Sequence, residues 1–125
     1  MKLLLDTHAL LWWLFDDPRL PEKARTAIGN DENTVFFSVA SIWEISIKKA
    51  LGKLRLPDEF YSVLPQSGFQ KLVIDIEHAR MIENLPLHHH DPFDRMLIAQ
   101  AVCENLYLLS KDLQLADYGI AIIWR

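Results

Sequence analysis

Residues 2–15, KLLLDTHALLWWLF, carry the reading that decides the fold. Three contiguous leucines, Leu3 to Leu5, suit a strand covered on both faces, where no polar alternation is needed, and predict a short buried strand over Lys2–Asp6. The polar step at Asp6 and Thr7 then leads into a helix over Thr7–Phe15, ended by Asp16, Asp17 and Pro18. A buried strand that passes at once into a helix is how a parallel α/β sheet begins.

The same alternation continues along the chain. Pro21–Ile28 reads as a second helix with Pro21 in its first turn, where the missing N–H costs nothing. Thr34–Ser38 (TVFFS) is β-branched and aromatic, hence a second strand, and Ser38 or Ser41 caps a helix running to about Leu51. On that helix Trp43, Ile47, Ala50, Leu51 and Leu54 share one face. Gly52 and Pro57 end it. Asp58–Leu64 reads as a short helix, Lys71–Asp75 as a third strand, and Glu77–Leu85 as a helix closed by Pro86. Asp91-Pro92-Phe93-Asp94 is the clearest helix start: a capping aspartate, proline at the first helical position and an acid at the third. That helix runs to about Asn105. Leu106–Ser110 is a fourth strand, Leu113–Tyr118 a short helix stopped by Gly119, and Ile120–Trp124 a fifth strand. The pattern predicts a single α/β domain over residues 1–125, three layers deep, with a central, mainly parallel five-stranded sheet flanked by helices.

Composition limits what such a domain does. Half of the 125 residues are hydrophobic, enough for a real core. Lysine and arginine number 13 against 17 acids, a net charge of −4, which excludes coating nucleic acid or membrane through bulk positive charge. The single cysteine, Cys103, excludes a disulfide framework and a cysteine-rich zinc site. With no signal-peptide pattern at the amino terminus and no apolar run approaching ~20 residues, a reduced, cytoplasmic setting is expected.

In a parallel sheet, ligands sit outside the carboxyl ends of the strands. Asp6 closes the first strand. Glu44 lies in the early turns of the helix leaving the second, Asp94 in the first turn of the helix feeding the fourth, and Asp112 two residues beyond the fourth. Four carboxylates from distant parts of the sequence thus meet on one rim. Like charges raise one another's pKa, and a bound cation is the usual resolution. Oxygen-only ligands suit Mg²⁺ or Mn²⁺, and a metal so held activates water and stabilises charge on a phosphodiester.

The segments LLLDTHALLWWL, SVASIWEISIKKALGKL, HHHDPFDRMLIAQA and LLSKDLQLADYGI, in this order, resemble PIN-domain ribonucleases, and specifically the VapC-like toxins of prokaryotic toxin–antitoxin pairs. The resemblance runs from residue 3 to about residue 120, and the family's four acidic positions match Asp6, Glu44, Asp94 and Asp112. It implies a PIN-like fold, a Mg²⁺-dependent endoribonuclease with RNA as substrate, a homodimer, and inhibition by a cognate VapB-like antitoxin whose tail fills the acidic groove. Asp6 and Asp94 sit in the most distinctive motifs. Asp112 sits in the most variable one, so its contact with metal is direct or through water.

Several of these residues have plainer roles as well. Asp6 also fits a helix cap, and Glu44 is placed to pair with Lys48 one turn later. Asp91 is expected as the cap of its helix and, with Thr7, His8 and Ser110, as outer support for the ligands. Lys48 and Lys49, with Lys53 and Arg55 beyond them, form the one local basic cluster; together with Arg95 they are candidate contacts for RNA phosphates. The triplet His88-His89-His90 suits a solvated or RNA-touching loop better than a transition-metal site, because adjacent histidines do not readily converge on one ion. Trp12 and Trp13 cannot face one side of a helix, so one of them is available to a partner.

Two other classes share parts of the pattern. A phosphoacceptor receiver domain has similar length and alternation, and Asp75 ends the third strand as its acceptor would, but Asp6-Thr7-His8 lacks the adjacent acids such a domain uses. A catalytically silent PIN-like scaffold would keep the acids only to receive a basic peptide. The four site acids account for −4, and the remaining 13 acids balance the 13 basic residues, so the charge deficit is local and two divalent ions would cancel it.

Overall fold

The computed structural model describes every residue except His89. Five strands, β1 (Lys2–Leu5), β2 (Thr34–Ser38), β3 (Gln70–Leu72), β4 (Tyr107–Leu109) and β5 (Ile122–Ile123), form one sheet in the order β3-β2-β1-β4-β5, with every pair parallel. The helices are α1 (Thr7–Leu14), α2 (Glu22–Gly29), α3 (Val39–Ala50), α4 (Phe60–Val63), α5 (Ile76–Asn84) and α6 (Pro92–Glu104), with 3₁₀ turns at Leu64–Ser67 and Leu113–Tyr118.

The leucine run works in both directions at once. Leu3 and Leu5 join Val35 and Phe37 in a core with α1, α2 and Ile45, whereas Leu4 joins Phe36, Leu97, Ile98 and Leu108 beneath α6. Alternate residues of one strand therefore feed opposite layers, which is why Leu3 to Leu5 are all apolar and β1 sits at the centre of the sheet. The three-layer α/β prediction holds.

The order β3-β2-β1-β4-β5 also removes the receiver reading, which requires the strand order 2-1-3-4-5. The third strand is shorter than its sequence suggests. It stops at Leu72, because Asp75 turns to cap α5 by accepting from His78 N at 3.1 Å. Pro21 lies just outside α2 rather than in its first turn. Asn105, at φ 55°, closes α6 in the left-handed region.

The apolar stripe of α3 is not its packed face. Its buried side is Ala40, Ser41, Glu44 and Ile45, while Trp43, Ile47 and Leu51 face solvent, Trp43 at 59% exposure. Small residues at positions 40 and 41 let α3 approach its neighbours closely, so the polar-bearing face is the packed one.

Candidate active site

Asp6 stands where β1 gives way to α1. Its backbone N–H donates to the Leu109 carbonyl at 3.0 Å, continuing the β1–β4 pairing, and its Oδ1 accepts from Ala9 N at 2.8 Å, capping α1. The capping role and a ligand role coexist, since the cap uses one of two oxygens. Only 7% of Asp6 is exposed, and this burial pushes its carboxyl pKa up. The Ala9 N–H, the Ser110 hydroxyl and the His8 side chain pull it back, while the charge on Glu44 raises it further.

Glu44 comes from the second turn of α3 and is 8% exposed. Its Oε1 accepts from the Thr7 hydroxyl at 2.7 Å, and its Oε2 meets Lys48 Nζ at 2.7 Å. A carboxylate only accepts, so Thr7 donates its one hydroxyl proton to the bond with Glu44 and accepts a hydrogen bond from the Ser41 hydroxyl 3.0 Å away. Thr7 thereby pins the first turn of α1 to α3, and with it Asp6 to Glu44.

The other two acids arrive on adjoining turns. Asp91 caps α6 by accepting from Phe93 N at 2.8 Å and Asp94 N at 3.1 Å. The Phe93 ring meets Trp43 edge-on, with centroids 5.2 Å apart, so the turn bearing Asp94 lies against the turn bearing Glu44. Asp112 caps the following 3₁₀ turn through Gln114 N at 3.1 Å, and its own N–H donates to Ser110 Oγ at 3.1 Å. The Ser110 hydroxyl therefore serves both the Asp6 carboxylate and the Asp112 backbone. The four acids offer oxygen donors alone, two of them are buried, and a hard divalent cation beside them would offset the cost of ionising Asp6.

Among the described residues, one set of three ligand-type side chains has its ligand atoms within 4.8 Å of one another, and it lies elsewhere: Asp75, His78 and Glu104. There His78 Nδ1 accepts from Asp75 N at 3.2 Å, and Nε2 lies 3.0 Å from Glu104 Oε1. A neutral imidazole protonated on Nε2 satisfies both contacts, which makes His78 the buried half of a capping box. Glu104 is ten residues beyond Asp94 on α6, about 15 Å along the axis, so this cluster is separate from the sheet-edge acids. At the sheet edge Glu44 holds Lys48, and a cation would have to displace that ammonium to draw Glu44 in.

The basic candidates divide. Lys48 is held by Glu44, and Lys49 Nζ lies 5.0 Å over the Tyr61 ring. Arg95 donates to the carbonyls of Pro86 at 3.0 Å and Ile82 at 3.3 Å, so its guanidinium secures the end of α5. Of the histidine triplet, His88 packs against Tyr118 and His89 lies outside the described residues. His8 is exposed, with its ring 5.4 Å from Trp12. Trp12 is buried and Trp13 half-buried; the exposed tryptophan is Trp43.

Sequence reasoning missed a cleft of about 450 Å³ that shares Thr7 and Glu44 with the acidic centre. Its walls come from α1 and from Leu54–Pro57, and Arg19 stands in it with its guanidinium 4.8 Å over the Trp12 ring. The signal was present in Asp17-Pro18-Arg19, a tight acid–base turn, but nothing local ties it to the distant residues 54–57.

The model of the PIN domain family matches residues 3–121. The chain belongs to the PIN domain family. Solved structures similar to this PIN domain include VapBC2 from Rickettsia felis bound to a fragment of promoter DNA, at 14% identity and TM-score 0.73, covering 98% of this chain and 97% of that one. DNA-bound VapBC from Salmonella typhimurium is 20% identical at TM-score 0.72, covering 98% and 96%. FitAcB from Neisseria gonorrhoeae is 19% identical at TM-score 0.70, covering 96% and 95%. A search of curated protein sequences finds no match. No helix among the described residues of this PIN domain is long and apolar enough to cross a membrane.

Proposed function

We propose that this PIN domain is a divalent-metal-dependent endoribonuclease acting as the toxin of a toxin–antitoxin pair. One observation carries the reading: Asp6 and Glu44 are both buried carboxylates, near enough for the charge of Glu44 to raise the Asp6 pKa, and Thr7, the residue after Asp6, donates its hydroxyl to Glu44. Burying two acids together is costly and adds nothing to packing, which favours a site built for a cation.

Asp6, Glu44, Asp94 and Asp112 would hold the ion, Mg²⁺ in the first instance and Mn²⁺ as its substitute. When bound, it supplies activation of water and stabilisation of charge on an RNA phosphodiester. The chain's own part is positioning. Thr7 and Ser110 donate to the Glu44 and Asp6 carboxylates and fix which lone pairs remain for a ligand, and Asp91 holds the turn that carries Asp94. Lys48 and Lys49 flank the centre, where an incoming phosphate would exchange with their present partners.

The structural neighbours are toxin–antitoxin complexes, which supports a VapB-like antitoxin as partner and a cytoplasmic setting. The exposed stripe of Trp43, Ile47 and Leu51 along α3 supports a homodimer. The test is cleavage of structured RNA with Mg²⁺ or EDTA, comparing the native protein with Asp6→Asn and Asp94→Asn. Loss of outer support costs about 10- to 100-fold in such sites, so each ligand variant is expected to lose roughly a hundredfold or more. Equal activity with chelator, or full activity in both variants, refutes the assignment; antitoxin binding without metal and without cleavage would indicate a silent scaffold instead.

A further inference from the structure

We propose that the cleft beside the acidic centre is a specificity pocket that receives one unstacked nucleobase of the RNA, next to the bond that is cut. The inference rests on the nuclease reading above and adds to it how sequence is read. Thr7 and Glu44 line both the cleft and the acidic centre, so a phosphodiester placed at the acids puts a neighbouring nucleotide at the mouth of the cleft. Its volume, about 450 Å³, falls in the range that encloses small ligands.

The lining suits a flat, uncharged ring joined to an anionic backbone: apolar walls for the ring and basic side chains for the neighbouring phosphates. Leu11 of α1 and Phe15 at its C-terminal cap form one wall and Leu54 and Leu56 the other. Both acids on the lining are already paired, Asp17 with Arg19 at 2.7 Å and Glu44 with Lys48 at 2.7 Å. Arg55, exposed at the rim, makes no ion pair among the described residues. Arg19 adds the decisive element. Asp17 grips its guanidinium through Nε at 3.1 Å and Nη2 at 2.7 Å, and the group lies over the Trp12 ring. A guanidinium fixed in that way, with its side chain 68% exposed, is a ready stacking plane. Single-stranded RNA is read by such splayed bases stacked on aromatic rings or arginine planes.

The bond cut in a single-stranded RNA oligonucleotide is first mapped with the native protein. Oligonucleotides are then made with one abasic nucleotide, either on one side of that bond or the other, or farther away. At one of the two adjacent positions the abasic substitution is expected to lower kcat/KM about tenfold or more, with changes under about twofold at remote positions. Arg19→Ala and Leu56→Asp should lose a similar factor on intact RNA and almost none on the abasic RNA. Arg19 lies outside the core, so its variant keeps the test interpretable if Leu56→Asp unfolds. The proposal is overturned if both adjacent abasic RNAs are cut as fast as the intact one, or if the variants cut intact RNA at the native rate. It is also overturned if the variants keep base discrimination but lose binding of a partner protein's tail, which would assign the cleft to that partner. An RNA set that the native protein never cuts refutes the nuclease reading itself, a distinct result from cleavage without base dependence.

Discussion

Replacing Asp6 with asparagine is predicted to stabilise the metal-free protein at neutral pH while abolishing its response to divalent cations. Burial is the main influence on Asp6 and raises its carboxyl pKa above the ordinary 3.8 of an unfolded chain. In acid both states hold the proton and no penalty arises. As pH rises, the unfolded chain ionises first, so the stability tied to Asp6 is full below 3.8 and is lost as pH passes through the raised folded value. Asparagine keeps the α1 cap, because its amide oxygen accepts from Ala9 N as the carboxylate does, and nearly keeps the volume. What it removes is the cost of a buried charge. A cation acts on the native protein alone: at a free concentration tenfold above Kd it adds RT ln 11, about 1.4 kcal/mol. In a domain of this size that raises Tm by roughly 5 °C. Thermal unfolding followed by circular dichroism, from about pH 4 to about pH 7, first in EDTA and then in MgCl₂ or MnCl₂, reads both effects. The variant should melt higher at the neutral end, the gap should close towards acid, and only the native protein should gain on adding metal. A native protein that melts higher than the variant at neutral pH in EDTA, or an equal cation response in both, would refute the reasoning.

Three further outcomes follow from named contacts. Ser38→Ala removes the α3 cap to Ala40 N at 3.0 Å and leaves Gln100 Oε1, now 2.6 Å from the Ser38 hydroxyl, without that donor. Adding a cap and a buried unsatisfied acceptor gives a loss of roughly 2–4 kcal/mol in urea unfolding, and a loss below about 1 kcal/mol would contradict it. Lys48→Met frees Glu44 from its ammonium partner, so Mg²⁺ affinity from thermal-shift titration should rise several-fold, whereas an unchanged affinity would show that Lys48 does not compete. Trp43→Asp places a charge in the exposed α3 stripe; on the proposed homodimer, light scattering should show the native protein as a dimer and the variant as a monomer, and a variant that stays dimeric would move the interface elsewhere.

The positions of Asp6, Asp94 and Asp112 in the fold were legible because each sits where local chemistry marks a strand end or a helix start. Asp6 follows three leucines, and Asp94 follows Asp91-Pro92, a start signal that needs no distant neighbour to read. Periodicity was less informative on α3. Trp43, Ile47 and Leu51 form an apolar stripe, yet the face with Ser41 and Glu44 is the packed one, because Thr7 satisfies Glu44 from another helix. Arg95 reads as a phosphate contact beside Asp94, but the end of α5 has open carbonyls within its reach.

Sequence alone determined the alternation of buried strands and capped helices, the three layers and the residues at the strand ends, since these follow from the geometry of a short stretch of backbone. The tertiary structure alone decided the order β3-β2-β1-β4-β5, the outward stripe on α3 and the cleft between α1 and residues 54–57. Those features depend on which distant surfaces meet. A side chain's partners across 34 or 37 residues, as for Thr7 with Ser41 and Glu44, are set by the packing of whole elements and leave no mark in the local pattern.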